Sequence, residues 1–194
     1  ETMPALNRRD IVAKLLADRG DDLLVIPGLG QCAYDCYAAG DDPRTFYLWG
    51  AMGGAVPMGM GLAVAQPDKR VLVVTGDGEL LMGLGSLAAA AAENLPNLAI
   101  AVIDNERYGE TGQQQTATGR GADIARIAAA AGFGTTKLVR DAGGVAEGVS
   151  LCRTAPGPVL VTFKVDHASQ DMAIPPKDGA YLKTRFRQAV VGKI

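Results

Sequence analysis

The chain lacks the usual means of covalent stapling. Of its 194 residues only three are cysteine, at positions 32, 36 and 152, and no C-x-x-C pair occurs. That odd, scattered set argues against a disulfide framework, a zinc knuckle or a four-thiolate cluster, and it reads as three small buried apolar residues. No apolar run approaches the ~20 residues that cross a bilayer, and no basic segment leads into an apolar one at the amino terminus. A formal charge of -2, with the two signs interspersed, supplies no long-range field for nucleic acid or an anionic membrane. The expectation is a cytoplasmic protein whose partners are small molecules and other proteins. Aromatic residues are scarce at 5%, while glycine is plentiful at 25; this combination suggests tight turns and helices packed closely on a sheet. At this length a chain buries roughly 70% of the surface that its unfolded form exposes, enough for one domain over residues 1–194 without staples.

What is present is an alternation. Apolar, β-branched runs bounded by Gly, Pro or Asp recur at Asp22 to Pro27, Thr45 to Trp49, Arg70 to Thr75, Leu98 to Asp104, Thr135 to Val139 and Pro158 to Val165. Helical patterns lie between them at Arg8 to Arg19, Gln31 to Ala39, Val56 to Ala65, Leu81 to Asn94, Asp123 to Ala131 and Val145 to Arg153. A basic helix from Tyr181 to Val191 follows an irregular tail from His167 to Asp178, and Arg107 to Gly121, rich in Gly, Gln and Thr, reads as a mobile loop. The order predicts an open, mostly parallel six-stranded α/β sheet with helices on both faces. Ligands of such folds bind beyond the carboxyl ends of the strands.

Two motifs fall at such ends. Gly76-Asp77-Gly78 follows the run Val71 to Thr75, and Asp104-Asn105 ends the next strand. Glycines around Asp77 let the chain turn sharply and let its amides approach a phosphate, while the carboxylate is free to bind a cation. Magnesium takes about six oxygen ligands, commonly one or two from protein and the rest from phosphate and water. An isolated Asp-Gly would read as a strand end and helix cap, and an isolated Met52 as core; their company gives them another meaning. His167, the single histidine, is tempting as an acid-base group, but nothing in the sequence brings it to these motifs, and the structural or solvent-exposed reading is preferred.

The G-D-G motif, followed after 26 residues by Asn, resembles the cofactor signature of the thiamine diphosphate-dependent decarboxylase and acetolactate synthase superfamily. The continuation D-N-E-R-Y-G and the upstream Leu48-Trp49-Gly50-Ala51-Met52-Gly53 strengthen the resemblance, which covers about Leu23 to Val165. It implies a thiamine diphosphate-binding fold with Mg2+ held by Asp77, the Asn105 side chain and the Arg107 carbonyl. Gly76, Gly78 and Glu79 would line the diphosphate, together with Tyr108 and Gly109 of the metal turn. Gly50 and Ala51 would serve the pyrimidine side, the Gly50 carbonyl accepting from the 4'-amino group, and Met52 would wedge between the two rings. Glu110, Thr111 and Gly112 would form the pocket over the thiazolium, with Arg120 and the partner chain as candidates for an anionic substrate tail. Asp104 stands where many members carry a first Asn.

Enzymes of this superfamily also need a glutamate that activates the pyrimidine ring, and it belongs to a second domain for which this chain has no room. The resemblance therefore implies the diphosphate-binding half of a hetero-oligomer such as α2β2 or larger, its other wall supplied by a pyrimidine-domain, α-type subunit of similar size. Gly76 to Gly112 looks most like the sulfopyruvate decarboxylase β subunits and the matching domain of phosphonopyruvate decarboxylases. That implies decarboxylation of a small 2-oxo acid. An acetolactate synthase-like carboligase and a non-catalytic cofactor-binding regulatory subunit stay open as alternatives. A ferredoxin-linked oxidoreductase is disfavoured by the want of a cysteine cluster.

Overall fold

The computed structural model describes residues 6–192. Its elements in chain order are α1 (Arg8–Leu16), β1 (Leu23–Pro27), α2 (Gln31–Ala38), α3 (Ala55–Ala65), β2 (Arg70–Gly76), α4 (Asp77–Met82), α5 (Ser86–Glu93), β3 (Leu98–Asp104), the short ribbon β4 (Arg107–Tyr108) and β5 (Gln114–Gln115), α6 (Ile124–Ala131), β6 (Thr135–Val139), α7 (Ala142–Thr154), β7 (Val159–Lys164) and α8 (Gly179–Val191). The main sheet has the order β1-β2-β3-β7-β6, with every pairing parallel. Its central strand β3, LAIAVID, is buried along its whole length, as expected of a parallel sheet covered on both faces. Alternate residues sort into two cores. Val25, Leu72, Ala99, Ala101 and Val161 meet α1, α2 and α7 on one face, while Ile26, Val73, Ile100, Val102 and Leu160 meet α3, α5 and α6 on the other.

The sheet has five strands where the sequence predicts six. Thr45 to Trp49 does run parallel to β1: Phe46 donates to the Val25 carbonyl at 2.9 Å and Leu48 to that of Pro27 at 3.3 Å. Only the Val25–Thr45 bridge forms, however. Beyond it the segment leaves the sheet, because the Trp49 indole N–H donates to the Pro176 carbonyl at 2.9 Å and Gly50 takes a positive φ of 73°. The predicted helix Leu81 to Asn94 is likewise two helices, and the first of them begins already at Asp77. The interruption falls at Gly83, whose backbone lies against Gly53; a Cβ on either would collide with the other's main chain. Arg107 to Gly121 contains the β4–β5 ribbon and two 3-10 turns, with Thr116 and Thr118 buried.

Helix ends are tied to the sheet by polar side chains. The Arg70 guanidinium donates to the carbonyls of Leu151, Cys152 and Ala155 at the end of α7, at 2.9 to 3.2 Å. Asn97 Nδ2 reaches the carbonyls of Ala63, Gln66 and Lys69, each at 3.0 Å, where α3 ends. Such bonds satisfy carbonyls that a helix leaves unpaired. Beyond β1 the chain turns into α2 on one face, and beyond β2 it turns into α4 and α5 on the other. The crevice between those two exits is where open α/β sheets place their ligands.

Candidate active site

A cleft of about 160 Å3 opens at this crevice. Asp77, the first residue of α4, lies on its floor and is 1% exposed. Its Oδ2 accepts from the Thr116 hydroxyl at 2.6 Å and lies 3.0 Å from that of Thr118. Thr118 Oγ1 is also 2.8 Å from Asp104 Oδ1, and Lys164 Nζ donates to Asp104 Oδ2 at 2.9 Å. Burial first, and the charge of Asp104 second, push the Asp77 carboxyl up to about 6, against the lowering effect of the two threonines. Among the described residues Oδ1 accepts no side-chain hydrogen bond, and burial beside Asp104 makes the place one that favours a neighbouring cation.

Asn105 follows β3 directly and is 9% exposed. Its Oδ1 accepts the Arg107 backbone N–H at 3.0 Å, and its Nδ2 donates to Gln31 Oε1 at 3.0 Å. Glu106 between them holds a φ of 62°, which folds the chain back into β4. The Tyr108 ring then lies against the turn: a Cβ on Gly78 would stand 2.5 Å from Tyr108 Cε1. Gly109 is pressed in the same way on the Gln31 amide. Gly76, Gly78, Arg107, Tyr108 and Gly109 all line the cleft with Asp77 and Asn105.

Glu79 behaves differently from its neighbours. Its side chain is 4% exposed and turns to Thr75, whose hydroxyl donates to Oε2 at 2.8 Å, filling the space that a Cβ on Gly28 would need. Among the described residues Oε1 has no hydrogen-bond partner. Burial raises its carboxyl above the ordinary range, outweighing Thr75 and the nearby amides of Leu29, Ala55 and Gly53. The carboxylate thus sits among three turns that make the cleft wall.

Met52 stands at the mouth, 39% exposed, on the segment that Gly53 docks against Gly83. Gly50 and Ala51 are exposed and lie outside the lining. Glu110 and Thr111 line the far side, with the Tyr34 hydroxyl 3.5 Å from Glu110 Oε2. Gly112 is not part of the wall, nor is Arg120, whose guanidinium turns to the Gln115 carbonyl at 3.2 Å. His167 is exposed and also absent from the lining. All three cysteines are free and buried. Cys32 lines the cleft, its thiol pushed well up by burial first and by Glu79 next, which leaves it unreactive.

Among the described residues no group of three His, Cys, Asp or Glu side chains could hold a metal alone. A carboxylate and an amide oxygen in one cleft suit a hard cation that completes its shell with phosphate and water. Residues 28–163 match the family described as thiamine pyrophosphate enzyme, C-terminal TPP binding domain. The chain belongs to this family.

Relatives of this thiamine pyrophosphate domain are named by their chemistry. The sulfopyruvate decarboxylase subunit beta of Methanothermobacter thermautotrophicus is 35% identical over 172 residues, covering 89% of each chain. That of Methanocaldococcus jannaschii is 38% identical over 128 residues, covering 66% of this chain and 68% of its own. Phosphonopyruvate decarboxylase of Streptomyces viridochromogenes is 33% identical over 91% of this chain but 44% of its own length. An X-ray structure from Mycobacterium smegmatis, assigned provisionally as a thiamin diphosphate-dependent enzyme, superposes with a TM-score of 0.73 over 84% of this chain and 32% of that one. At 22% identity it speaks for the fold alone.

Sequence reasoning missed the residues that support the thiamine pyrophosphate motif. Gln31 lines the cleft and holds Asn105, and Thr116 and Thr118 hold Asp77. Gln31 had a signal, since it follows Gly28-Leu29-Gly30 at the carboxyl end of a predicted strand. The two threonines had none beyond their i, i+2 spacing.

Proposed function

We propose that the chain is the β-type, diphosphate-binding subunit of a two-chain, thiamine diphosphate- and Mg2+-dependent 2-oxo acid decarboxylase, and that it acts on sulfopyruvate to give sulfoacetaldehyde and carbon dioxide. The carrying observation is that Asp77 and Asn105, at the ends of adjacent strands, share one cleft with Tyr108 packed on Gly78. Asp77 Oδ1 and the Asn105 amide oxygen would hold the metal with the Arg107 carbonyl, and the Gly78 and Glu79 amides would meet the diphosphate. Met52 would brace the cofactor at the mouth, beside Gly50 and Ala51 on the pyrimidine side. Thiamine diphosphate supplies, when bound, a thiazolium ring that accepts the electron pair left by departing carbon dioxide. Glu110 and Thr111 would border the substrate and keep water from it.

Arg120 is unsuited to an acidic substrate tail, being turned out of the cleft. Among the described residues Arg107 is the one Lys or Arg in the lining, and we assign the sulfonate to its guanidinium. The sulfopyruvate decarboxylase beta subunits, similar along most of both chains, support this substrate. They support also a partner α subunit, which would bring the pyrimidine-activating glutamate into a cytoplasmic hetero-oligomer such as α2β2. Phosphonopyruvate is the second reading, supported by the likeness to the Streptomyces enzyme. The test is turnover by the chain reconstituted with its α-type partner. A kcat/KM at least tenfold higher for sulfopyruvate than for phosphonopyruvate or pyruvate is expected; equal or reversed values refute the substrate assignment.

A further inference from the structure

A second cavity, of about 250 Å3, lies at the carboxyl ends of β3, β7 and β6, on the other side of the hydrogen bonds that hold Asp77. Three cationic and three anionic side chains line it: Arg126, Arg140 and Lys164, with Asp104, Glu106 and Asp123. The carboxylates are engaged. Lys164 Nζ lies 2.9 Å from Asp104 and 2.5 Å from Glu106, and Asp123 caps α6 by accepting the Arg126 backbone N–H at 3.0 Å. The Arg126 and Arg140 guanidiniums are exposed and, among the described residues, make neither ion pair nor hydrogen bond. Thr162 on the inner wall is 1% exposed, and among the described residues its hydroxyl has no partner, although buried hydroxyls are normally paired.

We propose that this cavity is a second ligand site, for a small, multiply charged oxyanion of the phosphate or sulfonate class. Two free guanidiniums offer forked donors to such a group, and the Lys164 ammonium retains a donor beyond its two carboxylates. The cavity shares Asp104 and Thr118 with the network around Asp77. A bound anion adds negative potential there, so it tightens binding of a cation at Asp77, and the cation tightens the anion in return. This coupling rests on the reading of Asp77 as a metal ligand; the anion site does not.

The test is calorimetric titration of the full chain with inorganic phosphate in magnesium-free buffer, at ionic strength held constant with chloride. One phosphate per chain is expected, with Kd raised at least tenfold in the Arg126→Gln, Arg140→Gln double variant and unchanged in Arg107→Gln, which probes the cleft instead. Both substitutions of the double variant are at exposed positions, and an unchanged Tm shows that it is folded. Absence of saturable binding, binding equal in the double variant, or binding lost in Arg107→Gln overturns the site. So does loss of phosphate binding when the partner subunit is added, since a partner group then fills the cavity. For the coupling, Mn2+ binding followed by electron paramagnetic resonance is expected to tighten at least twofold in saturating phosphate. Phosphate binding without that effect refutes the coupling alone, and failure of Mn2+ to bind even with thiamine diphosphate present refutes the metal reading of Asp77.

Discussion

At the scale of single residues the site depends on what is absent as much as on what is present. Gly78 has no Cβ, and the Tyr108 ring occupies that space. Gly78→Ala is expected to displace the ring and weaken thiamine diphosphate binding at least tenfold in calorimetry, while thermal stability falls by an amount typical of overpacking, about 1–3 kcal/mol. Asp77→Asn keeps the shape but removes the charge; cofactor binding in the presence of Mg2+ is expected to fall at least a hundredfold, and retention of wild-type affinity would refute its role. Asp77 and Asn105 were legible because their motif is local to each strand end. Gln31, 74 residues from the Asn105 amide that it accepts from, and Thr116, 39 residues from Asp77, were not, because only folding brings them together.

At the scale of elements, helix ends and edges carry the lessons. Arg70 is half-buried and satisfied by carbonyls rather than a carboxylate; burial lowers its pKa, with Cys152 a smaller opposing influence. Arg70→Met leaves the end of α7 unpaired and is expected to cost about 2–4 kcal/mol in urea unfolding, since several partly buried acceptors lose a charged donor together. The edge segment before Thr45 is pinned by Asp42, which pairs with Arg44 at 2.7 Å and with Arg19 at 3.7 Å. Burial works to raise the Asp42 carboxyl, but the Arg44 hydrogen bonds and the Arg19 charge outweigh it and hold it below the ordinary range. A depressed carboxyl stabilises the fold fully above its unfolded value of about 3.9, and the contribution is lost as pH falls through the lower folded value. Asp42→Asn should therefore flatten the dependence of stability on pH below about 4 and alter stability at pH 7 in the destabilising direction. Strand positions were legible from unbroken apolar runs. The loss of the sixth strand was not, because the Trp49–Pro176 bond spans 127 residues.

At the scale of the whole molecule the sheet order decides where chemistry is done. β1 and β2 are neighbours whose chains leave to opposite faces, and this opens the cleft. Asp77, Glu79 and Glu110 are the carboxylates in its lining, and the first two are buried in the floor and wall. On the proposed reading the activating glutamate comes from elsewhere, so the purified chain is expected to decarboxylate at less than a hundredth of the rate of the reconstituted pair. Ordinary turnover by the chain alone would refute a divided site. Among the described residues no helix is long and apolar enough to cross a membrane.

The sequence by itself determined the parallel α/β architecture, the strand-end positions of Asp77 and Asn105, and the family resemblance, because apolar period, glycine-flanked turns and motif spacing are local properties of the chain. Tertiary structure alone decided that Thr116 and Thr118 brace Asp77, that Glu79 turns inward to Gly28, and that Arg107 rather than Arg120 lines the cleft. It also decided that β7 enters beside β3, gathering Asp104, Lys164 and the polar cavity behind the site. Those contacts join segments distant in sequence, and their pairing is fixed by which faces of the sheet the helices cover, a quantity that no local pattern encodes.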